Sequence, residues 1–272
     1  MTALSFFKPS SIADAFFDSH KRFRVLIAET PAQIEAAQRL RYDVFYRELG
    51  AKLQTNRLCL DSDYFDPYCK HLIVIDELHC DVVGTYRILT PLGAQQAGRY
   101  YMEERFDITP WKRLANQSVE VGRACVHRDL RNGTVINLLW SGLAQFMWTR
   151  QLRYVFGSGS VPYRFAPLEA LGAYRDLVLR AKQSEHLIVS PRLPVSGQPD
   201  AAITLKNAPA LLRSYIQLGA RVAGAPSDDP AFRCIDIPIL LDMQELNPRF
   251  AKRFQQNSTP VAEASNDWAF AA

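Results

Sequence analysis

Two charged residues, Glu120 and Arg123, stand inside the otherwise apolar stretch QSVEVGRACV at residues 117–126. That stretch has strand composition and leads into the turn Arg131-Asn132-Gly133, after which an apolar helix is expected over 134–150. The N–H groups that open a helix bind phosphate oxygens, and nearby arginines add charge. A carboxylate beside such a site can accept a proton from a reacting group. In a regular strand, residues three apart face opposite sides, so Glu120 and Arg123 serve one site only if the strand bulges or splays. Otherwise they are two separate surface charges. The stretch alone leaves both readings open.

Other chemistries find less support. Cys69, His71, His79 and Cys80 have spacings unlike any usual zinc pattern, and Cys69 and His71 alternate onto one strand face with apolar neighbours, so no metal is expected. The run Gly157-Ser158-Gly159-Ser160 lacks the frame of a nucleophile elbow and reads as a tight turn after a short strand at 153–156. Cys125 lies near Arg123, where a thiol can be activated, but cysteine's habit of burial favours a small core residue. No Ser-His-Asp set emerges.

The elements that must position Glu120 and Arg123 follow from periodicity and punctuation. Residues 23–28 read as a strand; Thr30 then caps a helix with Pro31 in its first turn. Ile34, Ala37, Leu40, Arg41, Val44 and Phe45 share one face of that helix, which Gly50 ends. An Asp-rich loop, LCLDSDYFDPYCK, precedes an antiparallel pair at 71–75 and 82–89. Short helices are expected within 91–110, helices at 168–183 and 209–222 (the latter closed by Gly224), and a late strand at 234–241. This order predicts one mixed-sheet α/β domain over 23–254. An aromatic N-terminal arm, 1–22 with Phe6, Phe7, Phe16 and Phe17, precedes it, and a mobile polar tail, 255–272, follows.

Composition narrows the class. The chain has 272 residues, 48% of them hydrophobic and 22% charged, with a net charge of +4, which suits a soluble globular protein. The longest apolar-looking stretch, 135–148, is interrupted by Asn137, Ser141, Gly142 and Gln145, and a bilayer span needs about 20 apolar residues. No secretory signal opens the chain, so a cytoplasmic protein is expected, with peripheral contact to the anionic inner face of the cytoplasmic membrane as its furthest reach. No Lys/Arg cluster predicts nucleic-acid binding, and five scattered cysteines suit reduced thiols.

Five segments stand in an order that resembles two related enzyme groups: RYDVF (41–45), DSDYFD (61–66), HLIV (71–74), VGTYRILTP (83–91) and EVGRACV (120–126). The groups are the N-acyl-homoserine-lactone synthases and the L-ornithine Nα-acyltransferases that make lyso-ornithine lipid, both of GNAT fold. VHRDLRNGTVINLLW (126–140), PALLRSYIQLGARVAG (209–224), DPAFRCID (229–236) and LNPRF (246–250) resemble the ornithine enzymes in particular. The similarity covers roughly residues 24–254.

The resemblance implies a GNAT-like mixed, mostly antiparallel sheet flanked by helices. It implies that Arg41 and Phe45 line the donor and amine site, that Asp63 and Asp66 pair with Arg87 and Arg123, and that Glu120 is the base. A buried carboxylate there should be partnered by Arg123, Arg87, Arg41 or a water. Arg131, Asn132 and Gly133 would meet the donor's phosphate. Two departures stand out. The GNAT pyrophosphate loop, Q/R-x-x-G-x-G/A counted from Arg131, has Thr134 and Ile136 where small residues belong, and His127-Arg128 replaces a frequent His-Pro.

The expected activity is therefore transfer of a 3-hydroxyacyl chain from acyl carrier protein to the α-amine of L-ornithine, giving lyso-ornithine lipid. The phosphopantetheine thioester is a co-substrate, and no separate cofactor is expected. Arginines suit ornithine's carboxylate, and Asp63 or Asp66 its distal ammonium. The alternatives are a lactone synthase or another long-chain N-acyl-amino-acid synthase, and, in another class, a non-catalytic carrier- or lipid-binding module.

Overall fold

The β-branched and aromatic runs become strands that pair side by side. The computed structural model describes residues 15–17, 22–52, 58–180, 182–183, 187–198, 204–206 and 208–256. In chain order the strands are β1 (Ala15–Phe17), β2 (Phe23–Ile27), β3 (Cys69–Asp76), β4 (Asp81–Leu89), β5 (Phe106–Asp107), β6 (Ser118–Val126) and β7 (Tyr154–Pro162). They continue with β8 (Lys182–Gln183), β9 (Ser190–Pro191), β10 (Arg221–Val222), β11 (Ser227–Asp229) and β12 (Cys234–Asp242). The helices are α1 (Pro31–Tyr42), α2 (Pro91–Ala97), α3 (Thr134–Thr149), α4 (Leu171–Arg180), α5 (Ala210–Leu218) and α6 (Pro248–Gln256). One sheet runs β1-β2-β3-β4-β6-β7-β12-β10-β8, with β11 also on β12. Among the described residues, only β6–β7 and β10–β8 pair in parallel. The sheet is thus mixed and mostly antiparallel, as expected.

Alternation sorts side chains onto two faces. Val25, Leu72, Val74, Tyr86, Ile88, Val119 and Val121 pack under α3 and α5. The opposite face carries Leu26, Ile73 and Ile75 against Ala37 and Leu40 of α1, and further along Leu89, Phe156 and Leu240 against Phe65, Met102 and Trp111. The start of α1 is fixed by a capping box: Gln33 N–H donates to Thr30 Oγ1, while the Gln33 side chain accepts from Thr30 N–H. After Tyr42 the helix widens into a π turn, Asp43–Glu48, and Gly50 follows with φ +71°.

Several boundaries differ from the sequence reading. Gly157-Ser158-Gly159-Ser160 is not a turn but the middle of β7, paired along its length with β12. The glycines serve close packing there: a Cβ at Gly157 would lie 2.3 Å from the Val121 carbonyl oxygen, and one at Gly159 would lie 2.4 Å from Leu212. The expected helix at 168–183 ends at Arg180, and Lys182–Gln183 pairs with β10 instead. The expected helix at 209–222 is α5 alone, stopped by Gly219 at φ +101°, after which Arg221–Val222 joins the sheet. Within the expected arm, Ala15–Phe17 pairs antiparallel with β2. Phe6, Phe7 and the tail from 257 onward lie outside the described residues.

Candidate active site

One inserted residue shapes the site. Opposite β4, Arg87 pairs with Gly122 and Thr85 with Cys125, so two steps on β4 match three on β6. The extra residue is a β-bulge, and Arg123 within it takes the left-handed φ of +53°. A bulge shifts the alternation by one, so Arg123 projects from the same face as Glu120. Their partners agree: Glu120 meets the backbone of Tyr101 and Met102, and the Arg123 guanidinium lies 4.9 Å from the Tyr101 ring centroid.

Just before the bulge, β6 parts from β7. Their parallel pairing runs from Ser118↔Tyr154 to Val121↔Gly157 and stops. Beyond it β6 stays on β4 and β7 stays on β12. Between them lies a cavity of about 620 Å³, within the size range of small-molecule sites. Towards α3 and α5 its wall is apolar, with Ala124, Ile136, Leu212 and Tyr215. Tyr86 and Tyr215 share a buried hydroxyl–hydroxyl hydrogen bond there, with the Trp140 ring edge-on to both. Towards the other face the wall carries Glu120, Arg123, Tyr101, Phe232, Asp229 and Asp236.

Glu120 is 4% exposed. Its carboxylate accepts from Tyr101 N–H at 2.8 Å and Met102 N–H at 2.7 Å. The expected arginine partner is absent. Those two amides open the short helical turn at Tyr101–Glu104, whose free N–H groups favour negative charge. Burial nevertheless pushes the Glu120 pKa up to about 8, against the two hydrogen bonds and the nearby Arg87 charge.

The expected ion pairs form a buried lattice behind that wall. Arg41, fully buried, holds Asp66 with two nitrogens at 2.8 and 3.0 Å and Asp61 with Nε at 2.9 Å. Arg87 bridges Asp63 at 2.6 Å and Asp66 at 3.2 Å; Arg123 bridges Asp61 at 3.1 Å and Asp63 at 2.9 Å. Burial alone would raise the Asp66 pKa, but Arg41 and Arg87 hold it well below the usual carboxylate range. Three guanidiniums thus match three carboxylates, and Asp63 and Asp66 are committed to arginines rather than open to a substrate ammonium. Arg41 and Arg87 do not border the large cavity, whereas Phe45 does and packs edge-on to Phe232 at 5.8 Å.

The turn before α3 lies at the cavity's rim, with Arg131, Asn132 and Gly133 among its lining. Asn132 Oδ1 accepts from Thr134 N–H at 3.1 Å, and Gly133 has φ +98°. Arg131 donates to the Val126 carbonyl and to Glu48 at 2.8 Å while staying half-exposed. The N-terminus of α3, with Thr134 N–H held by Asn132, therefore lies at the rim beside a guanidinium.

His71 is buried, shares a hydrogen bond with the Asp66 carbonyl, and is pushed by burial down to about 4, so it is neutral. Among the described residues no group of His, Cys, Asp and Glu is arranged to hold a metal.

Sequence reasoning missed four contributors. Asp61 stood in DSDYFD without a role. Tyr101 lay in a stretch read only as short helices, and Asp229 and Asp236 lay in a resemblance segment with none assigned. A lone acid inside the apolar run CIDIPILL is the same signal that singled out Glu120.

A bulged strand, a neighbouring strand that parts from it, and an acid on the wall of the gap define a GNAT-type acyltransferase, and residues 40–141 match the model of the acetyltransferase (GNAT) domain. The chain is 31% identical to the L-ornithine N(alpha)-acyltransferase of Rhodobacter capsulatus over 84% of its own length and 92% of that protein's. It is 31% identical to the enzyme of the same name from Rhizobium meliloti, over 87% and 86%. A CoA-dependent acyl-homoserine lactone synthase of known structure superposes with a TM-score of 0.49 at 15% identity, over 83% of this chain and 82% of that one. The protein belongs to the L-ornithine Nα-acyltransferase family.

Proposed function

We propose that the protein moves a 3-hydroxyacyl chain from acyl carrier protein to the α-amine of L-ornithine, giving lyso-ornithine lipid. The observation that carries this reading is the cavity in the β6/β7 gap, apolar on one side and lined by Glu120 on the other. The relatives' names supply the amino acid.

The chemistry suits the residues. An α-amine has a pKa of about 8 and is mostly protonated at neutral pH, so a base must free its lone pair. Glu120, itself near 8, is matched to that proton and takes it directly or through one water. The amine nitrogen then attacks the thioester carbonyl, the C–S bond breaks, and the carrier thiolate leaves, taking up the second proton that the nitrogen loses as the amide forms. Backbone N–H groups of the splayed strand meet the oxyanion, each contributing about 3 kcal/mol.

Acyl carrier protein is favoured over coenzyme A because Thr134 and Ile136 stand where a pyrophosphate needs close backbone approach. A single phosphodiester asks less and suits the α3 N-terminus beside Arg131. The thioester is then a co-substrate, and no further cofactor enters the scheme. Among the described residues no helix is long and apolar enough to cross a membrane, and the net charge of +4 fits loose peripheral contact with the anionic inner leaflet.

The test is direct. Purified protein with 3-hydroxyacyl carrier protein should release carrier thiol only when L-ornithine is present, and mass spectrometry should find the Nα-acyl product. Thiol release indifferent to the amine, or none at all, overturns the reading.

A further inference from the structure

We infer that Asp236 is the acceptor for the distal ammonium of the amino-acid substrate, and so the residue that selects a diamino acid over a neutral one. The inference rests on the function proposed above.

Charge matching singles it out. Arg41, Arg87 and Arg123 are committed to Asp61, Asp63 and Asp66. On the cavity wall Asp229 is also satisfied: Arg105 donates to its Oδ2 at 3.0 Å, and the N–H groups of Ala231 and Phe232 donate to its Oδ1. Asp236 is different. It is 4% exposed and borders the cavity, yet it has no guanidinium partner. Ser160 Oγ donates to its Oδ1 at 2.6 Å and the Cys234 thiol approaches at 3.8 Å, while Oδ2 has no hydrogen-bond partner among the described residues.

A desolvated carboxylate without a counter-ion is costly, and a cation delivered by a ligand removes that cost. Burial, with Asp229 adding to it, pushes the Asp236 pKa up to about 6, against the Ser160 hydrogen bond and the more distant Arg105 and Arg123 charges. It is still ionised at neutral pH.

Position agrees. On β12, Asp236 alternates with Leu240 onto the face that carries Phe156 and Met102, which is also the face of Glu120. Glu120 and Asp236 therefore border one cavity from one side of the sheet, with β7 between their strands. An amino acid whose α-amine lies at Glu120 can turn a second, chain-borne cation towards Asp236. Ser160, opposite Asp236 on β7, holds the carboxylate in place.

The experiment compares L-ornithine with L-norvaline, which has the same carbon chain without the distal amine, using 3-hydroxyacyl carrier protein as donor. The wild type should favour ornithine in kcat/KM by about 10²-fold or more, as buried polar groups left unpaired reject the lacking analogue. Asp236→Asn keeps the shape and the Ser160 contact but removes the charge. It should cut the preference to within about tenfold, chiefly through a raised KM for ornithine. Ser160→Ala, which frees the carboxylate to rotate, should lower the preference less, and it serves as the second arm if Asp236→Asn does not fold. An unchanged preference in the folded variants overturns the assignment while leaving the proposed function standing. A wild type that acylates neither amino acid overturns the proposed function itself, and this inference with it.

Discussion

Glu120 and Arg123, three residues apart on one strand, project from the same face of the sheet because Arg123 occupies a bulge at φ +53°. Straightening that bulge would turn Arg123 to the α3 side and strand Asp61 and Asp63 without it. The parallel pairing of β6 with β7 ends at Val121, just before this irregularity, so ion-pair lattice, acid and binding space meet at one stretch of β6.

Glu120→Gln removes the basicity and, because an amide NH2 cannot accept, one of the two backbone hydrogen bonds. Loss of a general base costs about 10²–10⁴-fold in rate. The wild-type rate should rise as pH passes through about 8, where the buried carboxyl ionises. The variant should be slow at pH 7 and recover in part at high pH, where the amine is already neutral. Steady-state kinetics from pH 6 to 10 checks this; wild-type turnover by the variant at pH 7 would remove Glu120 from the mechanism.

The same raised pKa has a stability consequence. A carboxyl that titrates at about 8 when folded and near 4.5 when unfolded lends stability in its neutral form, and that is lost as pH rises between those values. Glu120→Gln does not titrate. Its deficit in thermal stability relative to the wild type should therefore shrink from pH 5 to pH 8, as calorimetry of the two proteins would register.

Asp66 behaves in the opposite sense. Its native pKa is depressed, so its contribution is whole above the unfolded value of about 4 and is lost as pH falls through the native one. Asp66→Asn leaves Arg41 and Arg87 short of a buried partner and should cost about 3–5 kcal/mol at pH 7. Urea unfolding at pH 7 and pH 3 should show the gap to the wild type narrowing in acid. A cost under about 1 kcal/mol at pH 7 would mark the lattice as weakly coupled.

Gly157→Ala tests the lip of the gap. The new methyl would press on the Val121 carbonyl oxygen, which an added Cβ would approach to 2.3 Å, at the last rung before the strands part. Overpacking of this kind costs about 1–3 kcal/mol. A lowered Tm with a sharply reduced rate is the expected outcome; an unaltered Tm would mean the rung yields without strain.

Donor choice follows from the rim. Acyl carrier protein should be used far better than the matching acyl-CoA, and equal turnover of both would refute the reading of Thr134 and Ile136. Arg131→Ala should raise the KM for the carrier about fivefold at low salt, as loss of an exposed charge contact does. That difference should fade with added salt, because exposed charges are screened within about 8 Å at physiological ionic strength.

Membrane contact is checked with vesicles. Sedimentation with anionic vesicles at low salt and release at high salt are expected from attraction between a positively charged protein and acidic headgroups. Equal recovery with neutral and anionic vesicles would count against it.

The sequence by itself determined where most of the long strands and helices lie, since periodicity, the Thr30-Pro31 cap and composition are local properties. It also exposed Glu120 and Arg123, because charge inside an apolar strand is visible without knowing what surrounds it. It carried the ion-pair residues through DSDYFD and RYDVF. What only the tertiary structure decided depends on pairing between distant segments. Gly157-Ser158-Gly159 reads as a turn until β12, about eighty residues later, is laid along it and shows that the glycines admit close neighbours. The bulge is a mismatch of one residue between β4 and β6, a property of their register and of neither strand alone. Glu120 was expected on arginines or a water but rests on two backbone amides, which any residue but proline at positions 101 and 102 would offer, leaving little trace in residue type. Asp236 carried the same lone-acid signal as Glu120. Its place became visible only when the fold set Arg105 on Asp229 and Arg123 on Asp61 and Asp63 and left this carboxylate bordering the cavity.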